Sequence, residues 1–359
     1  MDPENALFFE TIHTAAFVVC LDTPYTSGDA VTVRDAIMDD GSNRWYGKGL
    51  QFIVANDGSS AFVADHTMID GTTVGRMNEW VHEAIQGHNI PMTNGHTREN
   101  EDGSLEELHL TTTPEIDSHI RNLRAQAVEA SAPRDYVLHE LPQLGRTFLF
   151  DHGAPMKAVI DITLQLVNRL YHKSLGKPPA PAYEEASLSQ FHHGRIGPFL
   201  TLTPMVNAFC EAAATAAAPK RNETVLSPAA LRKLMHVAGD ELAENTQRAG
   251  NTPAIYHLVD VLDDMWSEEA VDAPLFYDPL WRRMNEFTFE SGMTDGVSKD
   301  SAAFPADSES FFLCYYVEDE GVKVSICGPT DGLEDFIEYL DEAADQIRQL
   351  IETTGRIVE

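Results

Sequence analysis

The stretch LQFIVANDGSSAFVADHTMIDGTT, residues 50–73, decides the fold, because it predicts two strands, a tight turn and a helix in direct succession. Residues 50–54 and 60–64 are apolar runs rich in β-branched and aromatic side chains, and an Asn-Asp-Gly turn separates them. Asp-Gly between two such runs is a strong short-range signal for a β-hairpin. The second strand therefore ends just before His66, and a helix with apolar residues at helical spacing follows.

The rest of the chain mixes helical and strand patterns. Helices are predicted over residues 114–130, 158–170, 204–218, 227–248, 254–266 and 333–351, and strands over 17–21, 108–113, 136–141, 147–150, 311–317 and 322–327. Such a mixture predicts an α/β or α+β sandwich. A polar, breaker-rich stretch over 87–103 places the expected domain boundary after residue 108, which gives domains 1–108 and 109–359.

The composition limits the classes of partner. The chain has 359 residues, with 25 Lys and Arg against 57 Asp and Glu, and a net charge of -32. Such a field repels nucleic acid and anionic membrane surfaces, and much of it is the charge of a solvated surface. No apolar run approaches the length of a membrane span, and the start has no basic region of a secretory signal. The 4 cysteines lie far apart, so we expect reduced thiols and a cytoplasmic location.

Metal and nucleotide chemistry are not predicted. His66 with Asp70, and His192 with His193, lack a third ligand at useful spacing. The chain also lacks a Gly-x-Ser-x-Gly nucleophile motif, a phosphate-binding loop and a dinucleotide fingerprint.

The segment His66-x-x-x-Asp70-Gly71 is the candidate for chemistry. A histidine at the end of a strand can point into a cleft, and a neutral imidazole can take a proton from a hydroxyl. Asp70 is placed to fix the turn, and Gly71 permits backbone geometry that a side chain would obstruct. A histidine beside an apolar strand is often only structural, so these residues alone leave both interpretations open.

Two separated blocks carry a family resemblance. The first is NRWYGKGLQFIV at residues 43–54 with DHTMIDGT at 65–72. The second is LQL at 164–166, YEEAS at 183–187 and FHHGR at 191–195. Together, and in this order, they resemble the choline/carnitine acyltransferase family over nearly the whole chain.

The resemblance implies two similar halves, each a two-layer α/β sandwich related to chloramphenicol acetyltransferase, with the active site between them. His66 would be the general base that takes the acceptor hydroxyl proton as the oxygen attacks a thioester. Asp70 would be structural. The family's serine segment is altered to TFESG at 288–292, where Ser291 is the best match for an oxyanion donor. No permanently bound cofactor is implied, and acyl-CoA or acyl-phosphopantetheine would be the co-substrate.

Departures from the family pattern concern the acceptor. Carnitine enzymes hold the carnitine carboxylate with a tyrosine, a threonine and an arginine. Tyr183 is retained, Ile196 stands where the threonine would be, and Tyr256 replaces the arginine. With Glu184, these residues would line the acceptor side. Burying a carboxylate without its cation is costly, so we expect an alcohol or polyol acceptor. A carnitine O-acyltransferase proper remains the alternative.

Further departures concern the donor. Arg146 matches one basic position of the family, Phe150 replaces another, and Lys157 stands where the family has an acid. A thioester on the phosphopantetheine of an acyl carrier protein lacks the adenosine 3′-phosphate and needs fewer basic groups. This pattern resembles the acyltransferase domains that release products from fungal polyketide synthases. A free-standing enzyme remains open as well.

Family members are longer, and the additional part lies before residue 1. We therefore expect an incomplete N-terminal half and a missing N-terminal segment as a partner. A truncated, non-catalytic family member that acts as a binding module is the alternative to an enzyme.

Overall fold

The computed structural model describes residues 3–22, 33–38, 41–67, 69–87, 107–192, 194–221, 223–252, 262, 265, 274–284, 288–294, 300–305 and 307–355. The chain divides into two compact units. The first comprises Met1–Ala132 with Gly296–Ser298, and the second comprises Pro133–Asp295 with Lys299–Glu359.

The first unit holds a small three-stranded sheet. Its elements are α1 (Pro3–Thr14), β1 (Val18–Asp22), α2 (Val33–Ile37), β2 (Leu50–Ala55), β3 (Ser60–Ala64), α3 (Gly71–Gln86) and α4 (Pro114–Ser131). The strand order is β1-β2-β3, with β1 parallel to β2 and β2 antiparallel to β3. The predicted hairpin and the helix after it are confirmed, and Phe52 pairs with Phe62 across the hairpin.

One face of this small sheet is covered and the other is open. Cys20 and Ile53 are buried against Ala36 of α2. On the opposite face Phe17 is 52% exposed and Leu21 is 75% exposed. The predicted strand over 17–21 is present as β1, but it is not buried on both faces, because the part of the chain that the structure describes covers only one of them. Strand residues alternate between faces, so Leu21 remains exposed.

The predicted strand over 108–113 is also wrong. The described part, from residue 107, is irregular, and the backbone of Thr111 pairs with a side chain instead of a strand. Asn5 Nδ2 donates to the Thr111 carbonyl at 2.8 Å, and the Thr111 amide donates to Asn5 Oδ1 at 2.8 Å. This exchange joins the segment to α1. Residues 109–132, with α4, accordingly group with the first unit, whereas the expected boundary was at residue 108.

The second unit is built on a six-stranded mixed sheet. Its elements are β4 (Arg134–Leu141), a 3-10 turn (Pro142–Leu144), α5 (Arg146–Asp151), α6 (Met156–Ser174), β5 (Ala182–Ser187), β6 (Ile196–Leu200), α7 (Pro204–Ala217), α8 (Pro228–Asn251), α9 (Pro274–Tyr277), α10 (Pro279–Met284), β7 (Phe289–Met293), β8 (Phe311–Val317), β9 (Val322–Pro329) and α11 (Leu333–Thr354). The strand order is β4-β9-β8-β7-β5-β6, in which β5, β7 and β8 run parallel. The mixed α/β class is confirmed.

Helix α6 forms the centre of the core of this unit. It is buried along most of its length and contacts α7, α8 and α11. Phe311 of β8 stacks on Phe336 of α11 with ring centroids 4.2 Å apart, and Phe289 of β7 lies 6.1 Å from Phe336. Aromatic contacts of this kind fix one face of the sheet against the helices.

Residues 147–150 form helix α5 and not the predicted strand. The apolar run there suggested a strand, but the first helical amides find acceptors far along the chain. The Arg146 amide donates to the Glu318 carbonyl at 2.8 Å, and the Thr147 amide donates to the Asp319 carbonyl at 3.0 Å. Free amides at a helix start need such acceptors, and here the β8–β9 turn supplies them. Among the described helices, none is long and apolar enough to cross a membrane.

Candidate functional site

His66 lies in the turn that follows β3 and is exposed. The turn is fixed on both sides of the ring. The Asp65 amide donates to the Gly49 carbonyl at 3.1 Å, and the Thr67 amide donates to Asp65 Oδ1 at 2.8 Å. Hydrogen bonds from the side chain and backbone of Thr67 lower the pKa of Asp65 below its ordinary value. The imidazole is thus held on an ordered turn and is not enclosed in a core.

Asp70 begins helix α3. Its side chain is the helix cap, with Oδ1 accepting from the Gly71 amide at 2.7 Å, and its carbonyl accepts the Val74 amide at 3.1 Å. Only 7% of Asp70 is exposed. The cap is therefore Asp70, and this contact suits the structural role expected for Asp70.

The polar residues of the first sequence block hold the small sheet in place. Arg44 makes a two-point contact with Asp22, with nitrogen–oxygen distances of 3.1 and 2.9 Å. Lys48 Nζ donates to the carbonyls of Ile12 and His13 at the end of α1. These cations are already engaged within the first unit, so the contacts account for them as structural groups.

Strands β5 and β7 of the second unit carry the other candidates, and they present two different faces. Tyr183 pairs with Glu290 in the parallel register, and Glu184 pairs with Ser291. Successive strand residues point to opposite faces. Glu184 and Ser291 are each 2% exposed and share the face that packs on α6. Tyr183 and Glu290 share the other face, which is only partly buried.

On the α6 face, Lys157 joins two acids. Its Nζ lies 2.8 Å from Asp161 Oδ2 and 2.8 Å from Glu184 Oε1, and the Tyr315 hydroxyl donates to Asp161 Oδ1 at 2.6 Å. Lys157 was predicted on the donor side and Glu184 on the acceptor side. The structure brings them into direct contact, because Lys157 on the first turn of α6 lies over β5. We call these four residues the lysine cluster.

Two polar atoms are unsatisfied, one in the lysine cluster and one beside it. Among the described residues, Glu184 Oε2 and Ser291 Oγ are buried and have no hydrogen-bond partner. Burial raises the pKa of Glu184 to about 8, with the Asp161 charge adding to this effect and Lys157 opposing it.

This arrangement predicts how stability depends on pH. Because the folded-state pKa of Glu184 is raised, proton binding at Glu184 contributes to the free energy of unfolding. This contribution is fully present below the ordinary pKa of 4.5 and is lost as pH rises through about 8. Glu184→Gln imitates the protonated acid. We expect wild type to lose more than about 1 kcal/mol relative to this variant between about pH 5 and pH 8.5.

Urea unfolding of both proteins across this pH range measures the difference. Glu244→Gln, an exposed change on α8, is the matched control and should leave the wild-type profile unchanged. A pH-independent difference between wild type and Glu184→Gln would contradict the assignment of the proton to Glu184.

The opposite face of β5 and β7, which we call the open face, is only partly buried by the described residues. Tyr183 hydrogen-bonds to Glu290, and its pKa is raised by burial first and then by the Glu290 charge. A side chain built on Gly292, two residues after Glu290 on the same face, would meet nothing within 4 Å. Ile196 also belongs to this face, because Leu200 pairs with Tyr183 and Ile196 lies four residues earlier on β6.

The predicted acceptor residues are therefore divided. Tyr183 and Ile196 share the open face, whereas Glu184 lies on the opposite face with Ser291. Tyr256 lies outside the described residues.

On the predicted donor side both cations already face carboxylates. Arg146 Nη1 lies 3.0 Å from Asp319 Oδ1, and Nη2 donates to the Val317 carbonyl at 2.8 Å. Lys157 belongs to the lysine cluster. Phe150, at the position where the family pattern has a basic residue, is 79% exposed. The described residues of the predicted donor side thus offer less uncompensated positive charge than the presence of an arginine and a lysine suggests.

Sequence reasoning missed Glu290, Asp161 and Tyr315. Asp161 had a local signal, because it follows Lys157 by four residues on a predicted helix. Glu290 and Tyr315 had none, since their contacts depend on strand pairing between distant segments. Within the described ranges, His, Cys, Asp and Glu form no group of three or more that could hold a metal ion.

Comparison with known proteins identifies the family. Residues 1–342 match the family described as Choline/Carnitine o-acyltransferase, and the chain belongs to this family. It is 30% identical to the highly reducing polyketide synthase ltbA of Aspergillus luteorubrus over 98% of this chain and 11% of that protein. It is 25% identical to the mitochondrial carnitine O-acetyltransferase of Saccharomyces cerevisiae over 99% of this chain and 53% of that enzyme.

The chain thus spans about half the length of the acetyltransferase and about a tenth of the polyketide synthase. Among solved structures, the wax ester synthase/diacylglycerol acyltransferase from Marinobacter aquaeolei VT8 matches with a TM-score of 0.43 and 13% identity, over 94% of this chain and 80% of that one.

Proposed function

We propose that this chain is part of an O-acyltransferase that moves an acyl group from a thioester to an alcohol, with His66 as general base. The observation that carries the proposal is the placement of His66: the one imidazole of the family-like segment is exposed on a turn fixed by Asp65. Asp70 supports the same turn from the helix start.

The reaction needs one proton carrier. His66 takes the hydroxyl proton as the acceptor oxygen bonds to the thioester carbonyl carbon. The carbon–sulfur bond then breaks, and the leaving thiolate receives the proton from the imidazolium. The acyl group passes directly between the two substrates, and His66 returns to its neutral form.

Ser291 makes no contact with substrate in this proposed reaction. Its hydroxyl is buried on the α6 face beside Glu184, whereas Tyr183 and the space over Gly292 lie on the open face. A group that stabilises an oxyanion must point at the reacting carbonyl. The residues of β7 that share the open face are Glu290 and Gly292, and neither carries a hydroxyl.

For the donor, we propose an acyl group on phosphopantetheine, carried by an acyl carrier protein, ahead of free acyl-CoA. Arg146 and Lys157 each face a carboxylate, so neither gives the uncompensated charge that an adenosine 3′-phosphate needs. The relationship to polyketide synthases, which build on carrier-bound thioesters, supports this choice. For the acceptor, we propose an alcohol or polyol rather than carnitine.

A charge introduced at position 150 tests the donor assignment. We expect wild type to consume acetyl-CoA and acetyl-pantetheine with kcat/KM values within about threefold, since little phosphate binding contributes. Phe150→Lys restores a basic residue and should raise kcat/KM for acetyl-CoA about fivefold, a surface-charge effect of about 1 kcal/mol, without changing that for acetyl-pantetheine.

Leu280→Lys, at another exposed apolar position, is the matched control and should change neither value. Wild type that prefers acetyl-CoA by a hundredfold would contradict the carrier-bound donor and favour a CoA-dependent enzyme.

A further inference from the structure

Glu290 is the feature of the open face that the family pattern does not explain. It lies on β7 in register with Tyr183 of β5, and the Tyr183 hydroxyl bonds to its carboxylate. Both residues are only partly buried, and the face beside them is open over Gly292. The Glu290 carboxylate therefore takes the contact with Tyr183 that, by the family resemblance, would go to the acceptor alcohol.

We propose that Glu290 is the specificity-determining residue for the acceptor, and that it excludes alcohols carrying a carboxylate. This inference rests on the proposed function, because it takes the Tyr183 face to be the acceptor side. Glu290 acts in two ways there. It accepts the hydrogen bond of the Tyr183 hydroxyl. It also places a negative charge where the carboxylate of an acceptor alcohol would lie.

A second acid strengthens this charge. Glu185 lies two residues after Tyr183 and so shares its face of β5. Its charge also raises the pKa of Tyr183. Ile196 on β6 adds an apolar side chain to the same face and no hydroxyl. Among the described residues of β5, β6 and β7 on this face, the two carboxylates can accept hydrogen bonds from an alcohol, and none is a cation that could bind a carboxylate.

The surroundings of Glu290 allow the carboxylate to act on a ligand. Two unit charges about 4 Å apart interact by an amount that corresponds to about fivefold in binding in bulk water and to about a thousandfold at the effective dielectric constant of a protein surface. Because the site is partly solvated, we expect a value near the water limit, about tenfold. Substitution by glutamine keeps the shape and the contact with Tyr183 but removes the charge. Glu290→Gln should therefore relax the exclusion without reshaping the face.

The experiment compares two alcohols that differ in a carboxylate: carnitine and (2-hydroxypropyl)trimethylammonium. Their kcat/KM ratio is measured with acetyl-pantetheine as donor, and their binding is measured by calorimetry without donor. We expect Glu290→Gln to shift both ratios toward carnitine by about tenfold. Glu290→Asp keeps the charge and should keep the exclusion. Glu338→Gln removes one exposed charge from α11 and controls for the net charge of the chain.

The two readouts separate the inference from the proposed function. If none of the proteins transfers an acyl group, the proposed function fails, and the binding ratio still decides the role of Glu290. If Glu290→Gln folds and its ratios equal those of wild type, the inference is overturned whatever the turnover. Should Glu290→Gln not fold, Glu290→Ser gives a second neutral variant for the same comparison.

Discussion

Replacing His66 by alanine is expected to lower kcat for thioester-dependent acylation by about a hundredfold to ten-thousandfold, the range that a general base contributes. The ring is exposed on a turn that Asp65 fixes, so its loss removes the proton acceptor without disturbing a core. Stability should change by less than about 0.5 kcal/mol, as is usual for exposed positions. Thiol release from acetyl-pantetheine, followed with a chromogenic thiol reagent, measures the rate.

A second exposed histidine of the first unit makes the test specific. His119→Ala, on α4, removes the same ring at a distance in sequence from the family-like segment and should leave kcat within twofold of wild type. Because the chain covers only part of its relatives, the assay is also run on the longest available reading frame. If wild type and His66→Ala give equal rates, both in this chain and in the longer reading frame, His66 is not the base.

Local signals made the His66 region predictable. The Asp-Gly turn, two short β-branched runs and a helical pattern all lie within residues 50–86, and each depends on neighbours in sequence. The structure has the hairpin and helix α3 at these places. The position of His66 after a strand followed from the same pattern. A site formed by one contiguous segment is thus accessible to sequence reasoning.

The open and covered faces of β5 and β7 were not predictable in the same way. Whether Ser291 or Gly292 lies on the Tyr183 face depends on a pairing between segments about a hundred residues apart. A shift of one residue in that register would exchange the faces. The sequence contains both residues, but only the pairing shows that the serine hydroxyl faces α6.

Helix α5 shows a related limit. Its apolar run, Phe148 to Phe150, suits a strand by composition, and the helix is instead stabilised by carbonyls of residues 318 and 319. The choice between helix and strand was therefore made by tertiary contacts and not by the local pattern.

Lys157→Met should destabilise the second unit by about 3 kcal/mol, the low end for removing one partner of a buried ion pair. The variant leaves Asp161 and Glu184 without the ammonium that lies 2.8 Å from each, and both acids are 2% exposed. One of them would have to take up a proton or remain as an uncompensated charge. Since the Lys157 side chain is 33% exposed, water offsets part of the cost.

Lys323 gives the control, because it also lies beside two acids, and these acids are more exposed than those beside Lys157. Lys323 lies 3.7 Å from Glu140 and 3.8 Å from Glu318, and these acids are 71% and 33% exposed. Lys323→Met should cost less than about 1 kcal/mol, because its two acidic partners stay solvated when the lysine charge is lost. Comparing the two variants by urea unfolding at a pH above about 8, where wild-type Glu184 is ionised, separates burial from simple loss of a lysine charge.

The double variant Lys157→Met/Glu184→Gln then tests the reason for the cost. Without the Glu184 charge, Asp161 keeps its 2.6 Å hydrogen bond from the Tyr315 hydroxyl, and only one buried carboxylate remains. More than half of the lost stability should return, giving a coupling energy of at least about 1 kcal/mol between positions 157 and 184. Additive effects would show that Lys157 stabilises α6 through its packed methylene chain, and that the two buried acids do not need its charge.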